Sequence, residues 1–379
     1  MGKGNYAFAV SSKKKLCIAT GIFPPDQGGP AQFASSFSKW LAKKGVASSV
    51  ISLTDGATTH TEFDSVTVDL ISRQNSLPRR MFESAKLILK RSERSNILIN
   101  GLFLETLLAS IFKKIDYVAK VPGDIVWERA RNTNQTKLNI DEFQKQVPLR
   151  LAIMRWAFVL SLKRARMIIS PSKHLAGLME GWGIDSNKIT VIPNSVDSEL
   201  FKPDSRVEKE YDVITVARLV EWKGIRELIE VTKALSLRLL IVGSGPQESE
   251  LREIAQTDGA DVVFAGEIQQ GALPILINKS RFFVLNSKYE GSPHSLIEAM
   301  SSGACTIARS NTGTKELIDS GLNGILVDEE GSLLEELQNI LKEEQKVSEI
   351  RSRAREKILN QYSRETLFQS IYELVADIK

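Results

Sequence analysis

The sequence predicts an α/β protein made of two doubly wound, Rossmann-like domains that face a central cleft. Three observations carry this expectation. Short β-branched runs alternate with amphipathic stretches over nearly the whole chain. The alternation occurs in two series, broken by the Pro-, Ser- and Asp-rich stretch IPNSVDSELFKPDSR. At 379 residues and 42% apolar content, the chain is too long for one ordinary core and apolar enough for two.

In the first series KLCIAT, VASSVISL, SVTVDLI, NILIN, YVAKVP, MIIS and KITVIP read as strands. Between several of them, AQFASSFSKWLAKK, RRMFESAKLILKRSER, ETLLASIFKK and VPLRLAIMRWAFVLSLKRAR read as helices. The second series has DVITVAR, LRLLIVG, DVVFAG, RFFVLN, CTIAR and GILV as strands. Its first clear helix follows Gly224, with Ile225, Leu228 and Ile229 at helical spacing. The C-terminal third is mostly helical, from LLEELQNILKEE to SRETLFQSIYELVADI. The domains are expected over 1–194 and 195–361, with a last helix over 362–379 packing back on the first. Ligands of open parallel sheets bind beyond the carboxyl ends of the strands, so the residues of interest follow strands.

Composition narrows the function. No segment approaches the ~20 apolar residues that span a bilayer. In MGKGNYAFAVSSKKK most of the lysines follow the apolar patch, the reverse of a secretory signal, so none is expected. Cys17 and Cys305 sit in apolar stretches without metal-ligand spacing, which fits a reducing cytoplasm. The net charge of +4 hides an asymmetry: residues 1–193 hold 28 Lys/Arg against 15 Asp/Glu (+13), and the remainder 22 against 31 (−9). A basic half suits an anionic surface or substrate, although solvated surface alone produces the same imbalance.

Four post-strand loops could carry chemistry. In GIFPPDQGGP, Gly28 and Gly29 precede Pro30 at a helix start, where backbone amides can approach an anion, although this stretch alone favours an ordinary βα turn. In KVPGDIVWER, Asp124 follows Pro-Gly after a strand and can project into a cleft, or serve as a surface turn. In ARLVEWKG, Arg218 and Lys223 follow a strand, as a diphosphate clamp would. Cations are disfavoured at helix N-termini, which weakens the alternative of a merely solvated pair. In YEGSPHSLIEAM, Ser292-Pro293 should open a helix between Glu290 and Glu298. Ser295 and Glu298 also fit a capping box, which would give Glu298 a structural role. Glu290 has no such local explanation.

Several classes are disfavoured. His60, His174 and His294 are too scattered for a multi-histidine metal site. There is no D-x-D, no G-x-x-x-x-G-K-[ST] and no G-x-S-x-G, and VGSGPQESE has Glu248 in place of the third glycine of a dinucleotide loop.

Taken together, these stretches resemble the retaining glycosyltransferases of family 4, which have the GT-B fold. Glu290 to Met300 looks like the E-x7-E signature. FPPDQGG resembles the N-terminal glycine loop, ARLVEWKG the Arg/Lys phosphate clamp, and LLIVGSGP and VVFAGEI the donor-domain strand ends. The resemblance covers nearly the whole chain. It implies transfer of a sugar from a nucleotide diphosphate sugar to an acceptor hydroxyl in cell-surface glycan or glycolipid synthesis, with no metal cofactor. The first domain would bind the acceptor and the second the donor. Glu290 would hold the sugar hydroxyls and Glu298 the ribose. The amides near Ser295 and Leu296 would face the diphosphate, with Arg218 and Lys223 neutralising it. Gly266 to Ile268 would meet the base, and Gly28, Gly29, Ser292 and His294 would complete the donor site. Relatives usually carry glycine where Ser195 stands here, and many carry a histidine where this chain has Pro122. That puts a histidine base in doubt and leaves Asp124 as a candidate for contacting acceptor or sugar. Two other classes are disfavoured: a non-hydrolysing sugar-nucleotide epimerase by the three scattered histidines, and a silent sugar-nucleotide-binding protein by the intact Glu290, Glu298, Arg218 and Lys223.

Two basic amphipathic stretches add a membrane expectation. Residues 73–94 carry seven basic and two acidic side chains, and 150–166 carry five basic and none acidic, beside Trp156 and Phe158. Both resemble helices that lie on anionic lipid, which would favour a lipid-linked acceptor over a free sugar. A helix that simply packs its apolar face on the sheet is the alternative. A cytoplasmic enzyme, peripheral at the inner membrane face and without nucleic-acid partners, is the resulting expectation.

Overall fold

The computed structural model describes residues 15–377 other than 27, 65 and 134, and contains two separate sheets. The first domain opens with β1 (Lys15–Thr20), α1 (Gly29–Lys43), β2 (Ser48–Thr54), β3 (Thr59–Phe63) and β4 (Val66–Ser72). It continues through α2 (Leu77–Ser92), β5 (Ser95–Asn100), α3 (Phe103–Phe112) and β6 (Tyr117–Lys120). Three helices follow, α4 (Ile125–Asn132), α5 (Ile140–Lys145) and α6 (Leu149–Arg164), then β7 (Met167–Ser170), α7 (Lys173–Gly181) and β8 (Ile189–Val191).

The second domain begins with β9 (Tyr211–Val216), α8 (Ile225–Ala234), β10 (Leu239–Val242), α9 (Glu248–Asp258) and β11 (Val262–Gly266). After α10 (Leu273–Asn278) come β12 (Ser280–Leu285), α11 (His294–Ser301), β13 (Cys305–Arg309), α12 (Thr312–Leu317) and β14 (Ile325–Val327). The chain ends with α13 (Leu333–Ile340), α14 (Glu344–Gln361) and α15 (Arg364–Ala376).

The first sheet runs β3-β4-β2-β1-β5-β6-β7-β8, and the second β11-β10-β9-β12-β13-β14. Every neighbour is parallel except β3, which pairs antiparallel with β4. That strand, THTEF, is exposed along its length, so it lacks the apolar signal from which strands are read. Central strands such as β12, with Phe283, Val284 and Leu285 at 1% exposure or less, are covered on both faces. Two hydrophobic clusters form in each domain.

Strand order reverses between β1 and β5 in the first sheet and between β9 and β12 in the second. At such a reversal the loops part in opposite directions and leave a crevice above the strand ends. The loop after β1 ends at Gly28, and Gly29 opens α1. The loops after β9 and β12 hold Arg218, Lys223 and Glu290. The topology therefore gathers residues from distant sequence at the two strand-end crevices. Among the described residues, no helix is long and apolar enough to cross a membrane.

Candidate active site

The two crevices face each other. A Cβ added to Gly29 would lie 3.2 Å from His294 Nε2, so the N-terminus of α1 abuts that of α11 across the domain boundary. Gly28, at φ 135°, is the N-cap of α1, a backbone conformation that side chains rarely adopt. Two helix N-termini at one place concentrate free amides and favour an anion between them.

On the second domain, Lys223 Nζ and Glu290 Oε1 pair at 2.5 Å, both largely buried. Arg218 Nη1 donates to Asn132 Oδ1 of the first domain at 3.1 Å. The loop bearing Glu290 is held by close packing, since a Cβ at Gly313 would lie 2.3 Å from the Glu290 carbonyl oxygen. Ser292 is tied across the boundary, its carbonyl accepting from Asn194 Nδ2 at 2.9 Å.

Glu298 lies within α11 at 7% exposure and accepts from Gln270 Nε2 at 3.2 Å. Burial pushes its pKa up to about 7, against the Gln270 bond and the charge of Arg364. The N-cap of α11 is Pro293 and no side chain caps the helix, so the capping box between Ser295 and Glu298 does not form. The structural explanation offered for Glu298 is thereby removed. Ser295 is half-buried in the first turn, and the Leu296 side chain belongs to the core. Burial and the charges of Lys120 and Arg364 lower the His294 pKa to about 4, so its imidazole is neutral at pH 7. Gly266 ends β11 at φ 67°, its carbonyl accepting from Gly243 N, and Ile268 packs on the core beside it.

The placement of Asp124 differs from expectation. It is fully buried and caps α4, with Oδ1 accepting from the amides of Val126 and Trp127. Oδ2 accepts from Gln144 at 3.0 Å and Arg155 at 2.7 Å. A carboxylate that carries four donors does not project into the cleft. Arg155, one of the five basic side chains of 150–166, is committed to this carboxylate and to Gln144 Oε1.

The group that stands nearby is Glu128, one turn along α4. A Cβ at Gly123 would lie 2.2 Å from its Oε1, so the carboxylate folds back over the loop that begins at Pro122. Among the described residues it forms no hydrogen bond or ion pair. Solvent reaches it, yet the surrounding protein and the charge of Asp124 push its pKa up to about 7 against Lys223. Glu128 was missed because α4 has only two turns, and its one sequence signal was an acid placed four residues after a capping Asp. Beside it, Trp127 meets Tyr289 at 4.9 Å and Trp222 at 6.5 Å between ring centroids. These rings wall an interdomain cavity of about 490 Å³. No group of three or more His, Cys, Asp or Glu able to hold a metal occurs among the described residues.

This is the two-domain GT-B architecture, with its strand-end loops converging on one cleft. Two family models divide the chain: Glycosyltransferase Family 4 matches residues 27–200, and Glycosyl transferases group 1 matches 197–357. The chain thus carries a family 4 glycosyltransferase domain followed by a group 1 glycosyltransferase domain. Among curated relatives it is 28% identical over 236 residues to WcaL of Salmonella typhimurium, provisionally named a colanic acid biosynthesis glycosyltransferase, covering 57% of this chain and 58% of that protein. It is 28% identical over 189 residues to a GDP-mannose-dependent alpha-mannosyltransferase of Corynebacterium glutamicum, covering 47% and 44%. The matches thus span less than two thirds of these relatives. Anabaena Alr3699/HepE, solved in complex with UDP-glucose, superposes with a TM-score of 0.78 at 21% identity, covering 96% of this chain and all of that one.

Proposed function

We propose that the protein is a retaining glycosyltransferase that moves a sugar from a nucleotide diphosphate sugar to an acceptor hydroxyl in polysaccharide or glycolipid synthesis. The observation that carries this reading is the convergence of Arg218, Lys223, Glu290 and the α11 N-terminus at the reversal between β9 and β12. Fixed cations and helix amides at one point suit a leaving diphosphate, whose charge grows as the sugar bond breaks. In this reading Arg218 and Lys223 supply that charge and no metal is needed. Glu290 contacts the transferred sugar and Glu298 the ribose. Gly28, Gly29, Gly266, Ile268, Ser292, His294, Ser295 and Leu296 line the donor. The names of relatives and of ligand-bound structural neighbours agree with this class of donor.

The acceptor in this reading is lipid-linked, and the first domain meets an anionic membrane. The helices α2, α3 and α6 pack side by side and leave large apolar side chains exposed. On α6, Leu149, Ile153 and Trp156 are 89%, 76% and 65% exposed, at i, i+4 and i+7. Phe158 is buried instead, so the inner face packs while a second apolar face remains outside.

A thermal-shift panel of UDP- and GDP-sugars, run in excess EDTA, tests the donor reading. A donor at 100 times its Kd should stabilise the protein by about 2.7 kcal/mol. Stabilisation and turnover that appear only after Mg²⁺ or Mn²⁺ is restored would contradict the metal-free assignment.

A further inference from the structure

The cap at Asp124 fixes the direction of α4, because its carboxylate holds the first-turn amides and is itself held by Arg155 and Gln144. The helix then spans the second domain's cation clamp. Asn132 meets Arg218, and Trp127 touches the rings next in sequence to Lys223 and Glu290. Glu128 and Asn132 are one turn apart and share a face. The Glu128 carboxylate is thus carried by the first domain, faces the clamp of the second, and has no protein partner among the described residues. Gly123 allows it to lie over the loop.

We propose that Glu128 engages the acceptor, accepting a hydrogen bond from the attacking hydroxyl and taking its proton during transfer. This rests on the donor reading above. The acceptor oxygen bonds to the sugar C1 as the bond from C1 to the diphosphate oxygen breaks. The electron pair leaves on that oxygen beside Arg218 and Lys223, and the hydroxyl proton passes to Glu128. Lys223 acts on both the leaving group and Glu128, so attack comes from the leaving group's side of the sugar, as retention requires. The charged groups that act on Glu128 are Asp124 from its own loop and Lys223 from the second domain, and Tyr289 of the second domain feels the charge of Glu128, Asp124, Glu290 and Asp141 together. A carboxyl near pH 7 is well matched to reversible proton transfer.

The experiment uses Glu128→Gln, which keeps the size of the side chain and breaks no bond within the protein. UDP and GDP are titrated into wild type and variant. Donor turnover is followed across pH with water and short alkyl glycosides as acceptor probes. Nucleotide affinity should stay within about twofold, while turnover should fall by roughly 100-fold or more. The acidic limb of the wild-type profile, near pH 7, should vanish. Wild-type protein that binds neither nucleotide overturns the donor reading and this inference with it. Normal nucleotide binding with undiminished turnover and an unchanged pH profile in the variant overturns the role of Glu128 alone.

Discussion

A carboxylate buried inside a helix, with one amide donor beside it, is costly to ionise, and Glu298 is such a group. Its pKa rises from 4.5 to about 7 on folding. The associated stability is fully present below pH 4.5 and is lost as pH rises through 7, by an amount on the order of a few kcal/mol. Glu298→Gln should therefore match wild type near pH 4 and melt higher at pH 8. A ribose contact predicts a second effect. Losing a charge-assisted hydrogen bond of about 1.5–3 kcal/mol should weaken binding roughly 10- to 150-fold. Glu290→Gln should spare affinity for the nucleoside diphosphate alone, which lacks the sugar, and should reduce turnover instead. Titration of both variants with UDP or GDP separates the roles, and equal affinities would mean the two carboxylates are wrongly assigned. The positions of these residues were legible, because Ser292-Pro293 marks a helix start that leaves Glu290 in the loop before it and Glu298 in the helix after it. Their environment was not: the choice between a capping box and a buried carboxylate depends on where α11 starts, and Pro293 takes the cap position.

At the level of elements, legibility followed length and periodicity. The long helices and buried strands declare themselves by apolar spacing, whereas α4, α5 and β3 are short or polar and leave only local cap signals, such as Asn139 and Glu142 at the start of α5. Exposure could not be read for α6, because a basic helix with apolar residues all round fits either a sheet or a membrane. The structure gives it both faces: Leu151, Phe158, Ser161 and Leu162 point inward, while Leu149, Ile153 and Trp156 point out. If the outer face lies on lipid, Ile153→Ser with Trp156→Ser should reduce co-flotation with vesicles of phosphatidylglycerol and phosphatidylcholine. The lost affinity should be on the order of 1.5–3 kcal/mol per side chain, without loss of thermal stability. Wild-type binding should weaken with salt, because Arg150 and the neighbouring basic groups are exposed. Equal flotation by wild type and variant would sink the lipid assignment for this face.

Across the whole molecule, the chain passes between the domains twice, and the two crossings run side by side. Val196 N donates to Tyr362 O at 3.1 Å and Arg364 N to Val196 O at 3.2 Å, while Arg364 pairs with Asp197 at 2.8 Å. After the second crossing α15 enters the first domain's core. Phe368 meets the rings of Phe33, Phe37 and Trp40 at 5.1–6.1 Å, and Trp40 Nε1 donates to Glu365 at 2.7 Å. Asn96 Nδ2 caps the far end of α15 by donating to the Val375 carbonyl at 2.8 Å. The division into two series was legible from the linker's composition. The pairing of the crossings was not, since it joins residues far apart in sequence. Phe368 is 2% exposed, so Phe368→Ala removes a core ring and should cost about 3–5 kcal/mol. For a domain of this size that lowers a melting midpoint by roughly 6–20 °C. The loss should fall on the first domain, although the residue lies near the chain's end. Calorimetry with and without UDP or GDP resolves this: the nucleotide should raise the second domain's transition, and Phe368→Ala should lower the other. Wild-type unfolding of the variant would mean that α15 adds nothing to that core, and the two crossings alone would then hold the domains together.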